Sequence, residues 1–248
     1  MKAKPATKAF DIQTKLTPYL YSNKELSEFE FKMYEREVNS IPDYIQRNNT
    51  LGLLYAVQKN DALMELHFES ALSCAFDLDI LSNYAVLLNH CSLFKKQKQV
   101  LFDYREYLNT PALLKHLLNV VSIYLDSNMA EFICKKAVEI KCDGFFINAF
   151  YVRQMQILEV RKMTNCSDAQ IALLVDICSS ILKKYNQVCD SLKLETVAGG
   201  HSVFGIATDS VDILVDMNFE LADRVSETPE LDSCKLTAVF RPFKRVEL

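Results

Sequence analysis

Residues 51–88, LGLLYAVQKNDALMELHFESALSCAFDLDILSNYAVLL, decide the fold, because the pattern at their start returns at their end. Leu51-Gly52 is answered 33 residues later by Tyr84-Ala85, and after the same interval by Leu117-Leu118. Tyr55, Leu88 and Val121 form another column, as do Met64, Gln97 and Ala130. Phe68, Leu101 and Cys134, then Ala71, Tyr104 and Ala137, complete the set. Apolar and small residues returning at a period in this range are the signature of stacked helical hairpins. Small residues let paired helices approach, and large ones fill the space between neighbouring hairpins.

The connections fit. Helices over 43–58 and 62–77 join at Lys59-Asn60-Asp61; Ile80–Asn89 and Leu93–Leu108 join near His90-Cys91-Ser92. Thr110 caps a helix starting at Pro111, and Ser127-Asn128 turns the chain into Ala130–Ile140. Asp143-Gly144 is expected to close the unit, with glycine as a left-handed C-cap.

This stretch resembles the tetratricopeptide repeat family, through Leu51-Gly52, Tyr55, Phe68 and Ala71 in the first unit. Tyr84-Ala85, Leu88 and Leu101 carry it in the second, and Leu117, Val121, Ala130 and Ala137 in the third. Met64, Gln97, Tyr104 and Leu118 depart from the family pattern, and its closing proline is replaced by Phe76, Asn109 and Cys142. The resemblance implies a mainly α protein, a right-handed α-solenoid of helical hairpins, and a concave surface lined by the first helices.

Outward from the repeat, residues 1–21 show little period and are expected to be an N-terminal arm. Ser22 or Asn23 can cap a helix through KELSEFEFKMYEREV, with Leu26, Phe29 and Met33, and Phe31, Tyr34 and Val38 beside them, on a broad apolar face. Residues 22–190 form the helical-repeat domain, ending in two longer helices separated at Thr164–Asp168, the second capped by Ser167 and running to Cys189. Residues 191–248 change character and hold Gly199, Gly200 and Gly205. They are expected to make a small α+β appendage: a hairpin turn at Gly199-Gly200, strands at Val203–Ala207, Val211–Met217 and Leu236–Phe240, and a helix over Phe219–Val225.

Composition narrows the function classes. Across 248 residues, 50% are hydrophobic and 24% charged, as in an ordinary globular protein. A net charge of −4 gives no general attraction to phosphate backbones, so nucleic acid is not an expected partner. No apolar run is long enough for a membrane span, and no signal peptide is expected. The eight cysteines are scattered, and are expected to be reduced thiols in a cytoplasmic protein.

Candidate chemistry is sparse. Asp209, Asp212 and Asp216 are the nearest approach to a catalytic or Mg²⁺-binding set; with Ile213 and Val215 between them, they equally read as the wet face of a half-buried sheet. His201-Ser202 after the glycine turn could serve acid–base or nucleophilic work, or simply begin a strand. No pair among His67, Cys74, His90, Cys91 and His116 has metal-ligand spacing, so no metal and no cofactor are expected. Cys74, Cys134 and Cys178 fall on apolar helix faces, whereas Cys142, Cys166 and Cys189 lie nearer helix ends and read as more accessible. Lys95, Lys96 and Lys98 read as a solvated helix face or an anion site.

The expected function is that of a non-enzymatic interaction protein (adaptor, chaperone or neutralising partner) holding another protein or peptide in its groove. Asn48, Asn83, Asn119 and Tyr124, on the first helices of the hairpins, are the candidate partner-binding residues. The alternative is an enzyme or small-ligand sensor with its site around His201, Asp209 and Asp212; a homo-oligomer is a further possibility.

Overall fold

The computed structural model describes residues 7–21, 25–196, 200–206, 208 and 210–243. They form a mainly α protein with a small sheet near the C-terminus. The helices are α1 (Lys8–Leu20), α2 (Glu28–Asn39), α3 (Tyr44–Val57), α4 (Asp61–Cys74), α5 (Leu78–His90), α6 (Phe94–Asp103), α7 (Pro111–Ile123), α8 (Ser127–Glu139), α9 (Gly144–Thr164), α10 (Asp168–Lys184) and α11 (Val211–Ser226). The strands are β1 (Cys189–Glu195), β2 (Gly200–Ile206) and β3 (Leu236–Pro242). The chain divides into two compact units, Met1–Cys91 and Ser92–Leu248.

The period of the sequence is a period of the backbone. α4, α6 and α8 begin at Asp61, Phe94 and Ser127, and the residues two before them, Lys59, Ser92 and Leu125, have φ of 56°, 55° and 50°. After α3, Lys59 N–H donates to the Ala56 carbonyl (3.0 Å) and Asn60 N–H to that of Tyr55 (2.9 Å). After α7, Leu125 and Asp126 bond back to Ser122 and Val121 in the same way. This pair of bonds satisfies carbonyls that a helix end leaves free. An aspartate or asparagine then caps two of the second helices, Asn60 on α4 and Asp126 on α8. The repeated columns are buried, Tyr55 and Tyr104 being the half-buried exceptions.

In the Met1–Cys91 unit, α4 is held against α3 by a ring on a glycine. A Cβ at Gly52 would lie 2.5 Å from Cδ2 and Cε2 of Phe68, so only hydrogen fits. The other face of the same unit's packing is Tyr84 of α5, stacked on Phe68 with centroids 4.9 Å apart and planes 7° apart. The N-terminal stretch expected as an arm is instead helix α1, capped by Thr7 and burying Ala9, Ile12 and Leu16 against α2 and α3. α2 also starts later than expected. Ser27, not Ser22 or Asn23 (both outside the described residues), caps it, in a reciprocal box with Glu30. Of the expected apolar face, Tyr34 and Val38 are buried, whereas Phe29 and Met33 are exposed.

In the Ser92–Leu248 unit, α6 to α9 pack each on the next, and α9 lies against β1 and β2. Thr110 caps α7 with Pro111 at its first position, and Ser167 caps α10, as the sequence indicates. Gly144 does not end a helix: Asp143 caps α9 there, and the left-handed residue is Lys141. β1 pairs antiparallel with β2, and β2 parallel with β3. The expected continuation of α10 to Cys189 breaks at Asn186, whose positive φ turns the chain into β1. Val211–Met217 is not a strand but the first half of α11, which joins β2 to β3; a parallel pair needs such a crossover. Asn218 of α11 exchanges two 2.9 Å hydrogen bonds with the backbone of Phe240, pinning the helix to the edge strand.

Gly52→Ala is expected to destabilise the protein by about 1–2 kcal/mol: a helix-propensity gain of about 1 kcal/mol offsets only part of an overpacking cost of up to about 3 kcal/mol. Gly144→Ala, where a Cβ meets nothing within 4 Å, is expected to be neutral or stabilising. Urea titration of both variants checks the contrast.

Candidate functional site

Helices α1, α3 and α5 of the Met1–Cys91 unit enclose a cleft of about 180 Å³. Its floor is apolar: Leu53 from α3, Val86 and Leu87 from α5, Leu20 from α1, and the edge of Phe68. Its rim is polar but uncharged, with Gln13, Thr17 and Tyr21 on one side and Asn49 and Asn83 on the other. Gln13 donates from Nε2 to Thr50 Oγ1 (2.9 Å), and Thr17 Oγ1 donates to the Gln13 carbonyl (2.8 Å). The side-chain amides of Asn49 and Asn83 have no hydrogen-bond partner among the described residues, and Asn83 is exposed. The volume lies below the 300–1,000 Å³ typical of small-molecule sites. It is the size of one or two side chains and smaller than a nucleotide needs.

The α3–α4 pair also carries a half-buried polar relay. Asn48 donates to the Tyr44 carbonyl (2.9 Å), and its Oδ1 lies 2.8 Å from His67 Nδ1. With Oδ1 as the acceptor, His67 donates from Nδ1. The imidazole stacks flat on Tyr55 at 5.3 Å, and Tyr55 Oη donates to Glu35 (3.2 Å). Burial holds the His67 pKa below its usual 6.5. Burial, then Glu35, raises that of Tyr55.

The four candidate partner-binding residues therefore have different surroundings. Asn83 faces the cleft, and Asn48 is buried in the relay. In the other unit Asn119 is exposed on α7, while Tyr124 is buried with the Lys98 ammonium 4.6 Å from its ring centroid. Lys98 also pairs with Asp126 at 3.6 Å, so it is not a free anion site. Sequence reasoning missed Gln13 and Thr17 because they belong to the supposed arm. It also missed Leu53 and Val86, although the period offered a signal: both occupy the column after Gly52 and Ala85.

In the sheet, His201 Nδ1 hydrogen-bonds Thr237 Oγ1 across β2 and β3. His201 is also the cross-strand partner of Glu195, which pairs with Lys193 (2.8 Å) and Arg241 (3.3 Å). Asp212 and Asp216 are exposed one turn apart on α11, with Asp212 in the first turn, where a carboxylate favours the helix dipole. Asp209 lies outside the described residues. Among the described residues no group of three or more His, Cys, Asp or Glu is gathered as a metal site. Cys134 and Cys178 are buried as expected, but Cys74 is exposed at the end of α4, and Cys166 and Cys189 are buried. Burial pushes the thiol of Cys134 up to about 11 and that of Cys189 up to about 12.

A second surface stands on α9, which exposes Phe145, Val152, Met155, Leu158 and Met163 while burying Phe150, Ile157 and Val160. No described helix is long and apolar enough to cross a membrane. No family model matches the chain, and no curated protein or solved structure matches it.

The His67 imidazole predicts a pH dependence. A histidine whose folded pKa is depressed stabilises the fold above its unfolded value, and this stability is lost as pH falls through the folded value. Stability is expected to fall from pH 7 towards pH 5 and to fall less in His67→Gln. Denaturation midpoints of the two proteins across that range test it, with His116, which burial also lowers, a background common to both.

Proposed function

We propose that the chain is an interaction protein of the adaptor, chaperone or neutralising-partner kind, whose helical hairpins belong to a right-handed stack of tetratricopeptide type. Its bound partner is a short, uncharged segment of another protein. The observation that carries this reading is the α1–α3–α5 cleft, where the amides of Asn49 and Asn83, without a hydrogen-bond partner among the described residues, stand beside the apolar floor of Leu53, Val86 and Leu87. A carboxamide both donates and accepts, which suits the N–H and C=O of a peptide backbone. The absence of charge on the lining residues favours a neutral segment, since a buried charge needs a partner. The apolar side chains that α9 leaves exposed support a protein-binding role independently.

Val86→Arg, which puts a cation on the cleft floor, is expected to weaken the complex by tenfold or more, roughly 1.4 kcal/mol. Asp212→Asn is expected to leave it unchanged. The measurement is affinity capture of the wild-type chain and both variants from the native cells, followed by titration of the captured protein. Circular dichroism checks that both variants are folded. Capture retained in full by Val86→Arg and lost in Asp212→Asn would overturn the cleft as the binding site.

A further inference from the structure

Two thiols from distant parts of the Ser92–Leu248 unit meet at one end of its sheet. Cys166, in the turn between α9 and α10, places its Sγ 3.0 Å from that of Cys234, two residues before β3. Cys166 is 6% exposed and Cys234 is half-buried, so a dissolved reagent meets Cys234 first.

Both turns are held in place by contacts other than the thiol pair. Gln170 Nε2 donates to the Glu230 carbonyl (2.9 Å) and to Ser233 Oγ (3.1 Å), fastening the start of α10 to the segment before Cys234. Beyond Cys234, the Leu236 N–H donates to Cys166 Sγ at 3.4 Å. At the start of β2, Gly200 lies so near the end of α9 that a Cβ would stand 2.2 Å from Thr164 Cγ2. Joining the sulfurs therefore needs little movement of either turn, and movement is what commonly prevents two cysteines from bridging.

We propose that Cys166 and Cys234 are a redox-responsive pair that forms a reversible disulfide, cross-linking the α9–α10 turn to the start of β3, with a small-molecule disulfide such as oxidised glutathione as the oxidant. Cys234 gives up its proton and attacks one sulfur of glutathione disulfide; that S–S bond breaks and one glutathione leaves, taking up a proton. Cys166 then gives up its proton and attacks Sγ of Cys234, releasing the second glutathione in the same way. Two protein thiols are oxidised to one disulfide, and one glutathione disulfide is reduced to two glutathiones. Burial, then the contact from Cys166, holds the Cys234 thiol above the ordinary thiol range. The thiolate is therefore scarce at neutral pH, and the exchange is slow until the oxidant is abundant.

The test uses the full chain, incubated at mildly alkaline pH with oxidised or reduced glutathione, alkylated, digested without reductant and mapped by mass spectrometry. The expected product is a cross-linked peptide pair containing Cys166 and Cys234 that disappears on reduction. Exposed Cys74 should carry glutathione in the same sample, which shows that the oxidant has acted. Closing so long a loop is expected to raise Tm by about 5 °C or more over the reduced protein, and Cys234→Ser should abolish that difference. The proposal is overturned if Cys166 and Cys234 are recovered alkylated, singly glutathionylated or bridged to other cysteines while Cys74 is modified. Because the mapping is made on the wild-type chain, it decides the matter even if the variant does not fold.

Discussion

The Phe68 ring, set on Gly52 and stacked under Tyr84, is the contact on which the rest of the Met1–Cys91 unit depends. A helix can lay an aromatic ring directly on its neighbour's backbone only where the neighbour has no side chain, and Gly52 supplies that place. Bringing α3 and α4 this close puts Asn48 within hydrogen-bond reach of His67, and His67 flat against Tyr55. The same ring, itself buried, lines the cleft floor with Leu53 and Leu87. One small residue thus governs the hairpin, its half-buried polar relay and part of the floor of the candidate site.

Much of this was legible in the sequence, because burial and periodicity are the same fact seen twice. A position that must be apolar or small at each return of the period is one that packing constrains, and those columns are buried in the structure apart from Tyr55 and Tyr104. The turns were less legible. Left-handed positions are easiest to find where glycine marks them, yet Lys59, Ser92 and Leu125 adopt positive φ without it. Tertiary packing outweighs the local cost, most plainly at Leu125, which is fully buried. The one glycine taken for such a cap, Gly144, opens a helix instead.

The N-terminal and C-terminal parts were misread for a different reason: alternation and helical spacing overlap in short apolar runs. Asp212, Ile213, Val215 and Asp216 fit a half-buried strand, yet they also put both carboxylates on one side of a helix, and the crossover between parallel strands settles it as α11. In α1, only Ala9, Ile12 and Leu16 are fully buried, too few to stand out against its lysines and threonines. That oversight also hid Gln13 and Thr17, which α1 contributes to the candidate site. Asn83 was found and Asn49 was not; nothing in the pattern separates Asn49 from Asn48, one facing the cleft and the other buried against His67.

On the reading proposed for the cleft, α1 does more than narrow the groove. By covering the face of α3 around Thr50, it leaves a space that an extended segment can enter with a side chain or two, but that a whole helix cannot fill. Selectivity then comes from the rim rather than the floor. A purely apolar side chain would gain the contacts of Leu53, Val86 and Leu87 but would close off the amides of Asn49 and Asn83 from solvent. Leaving a polar group buried and unpaired costs about 1–3 kcal/mol, comparable with the gain from burying one aliphatic side chain. An apolar segment alone therefore gains little, whereas one that also offers a backbone donor and acceptor to Asn49 and Asn83 keeps the whole benefit. Two neutral amides can in this way make a small, uncharged cleft discriminating.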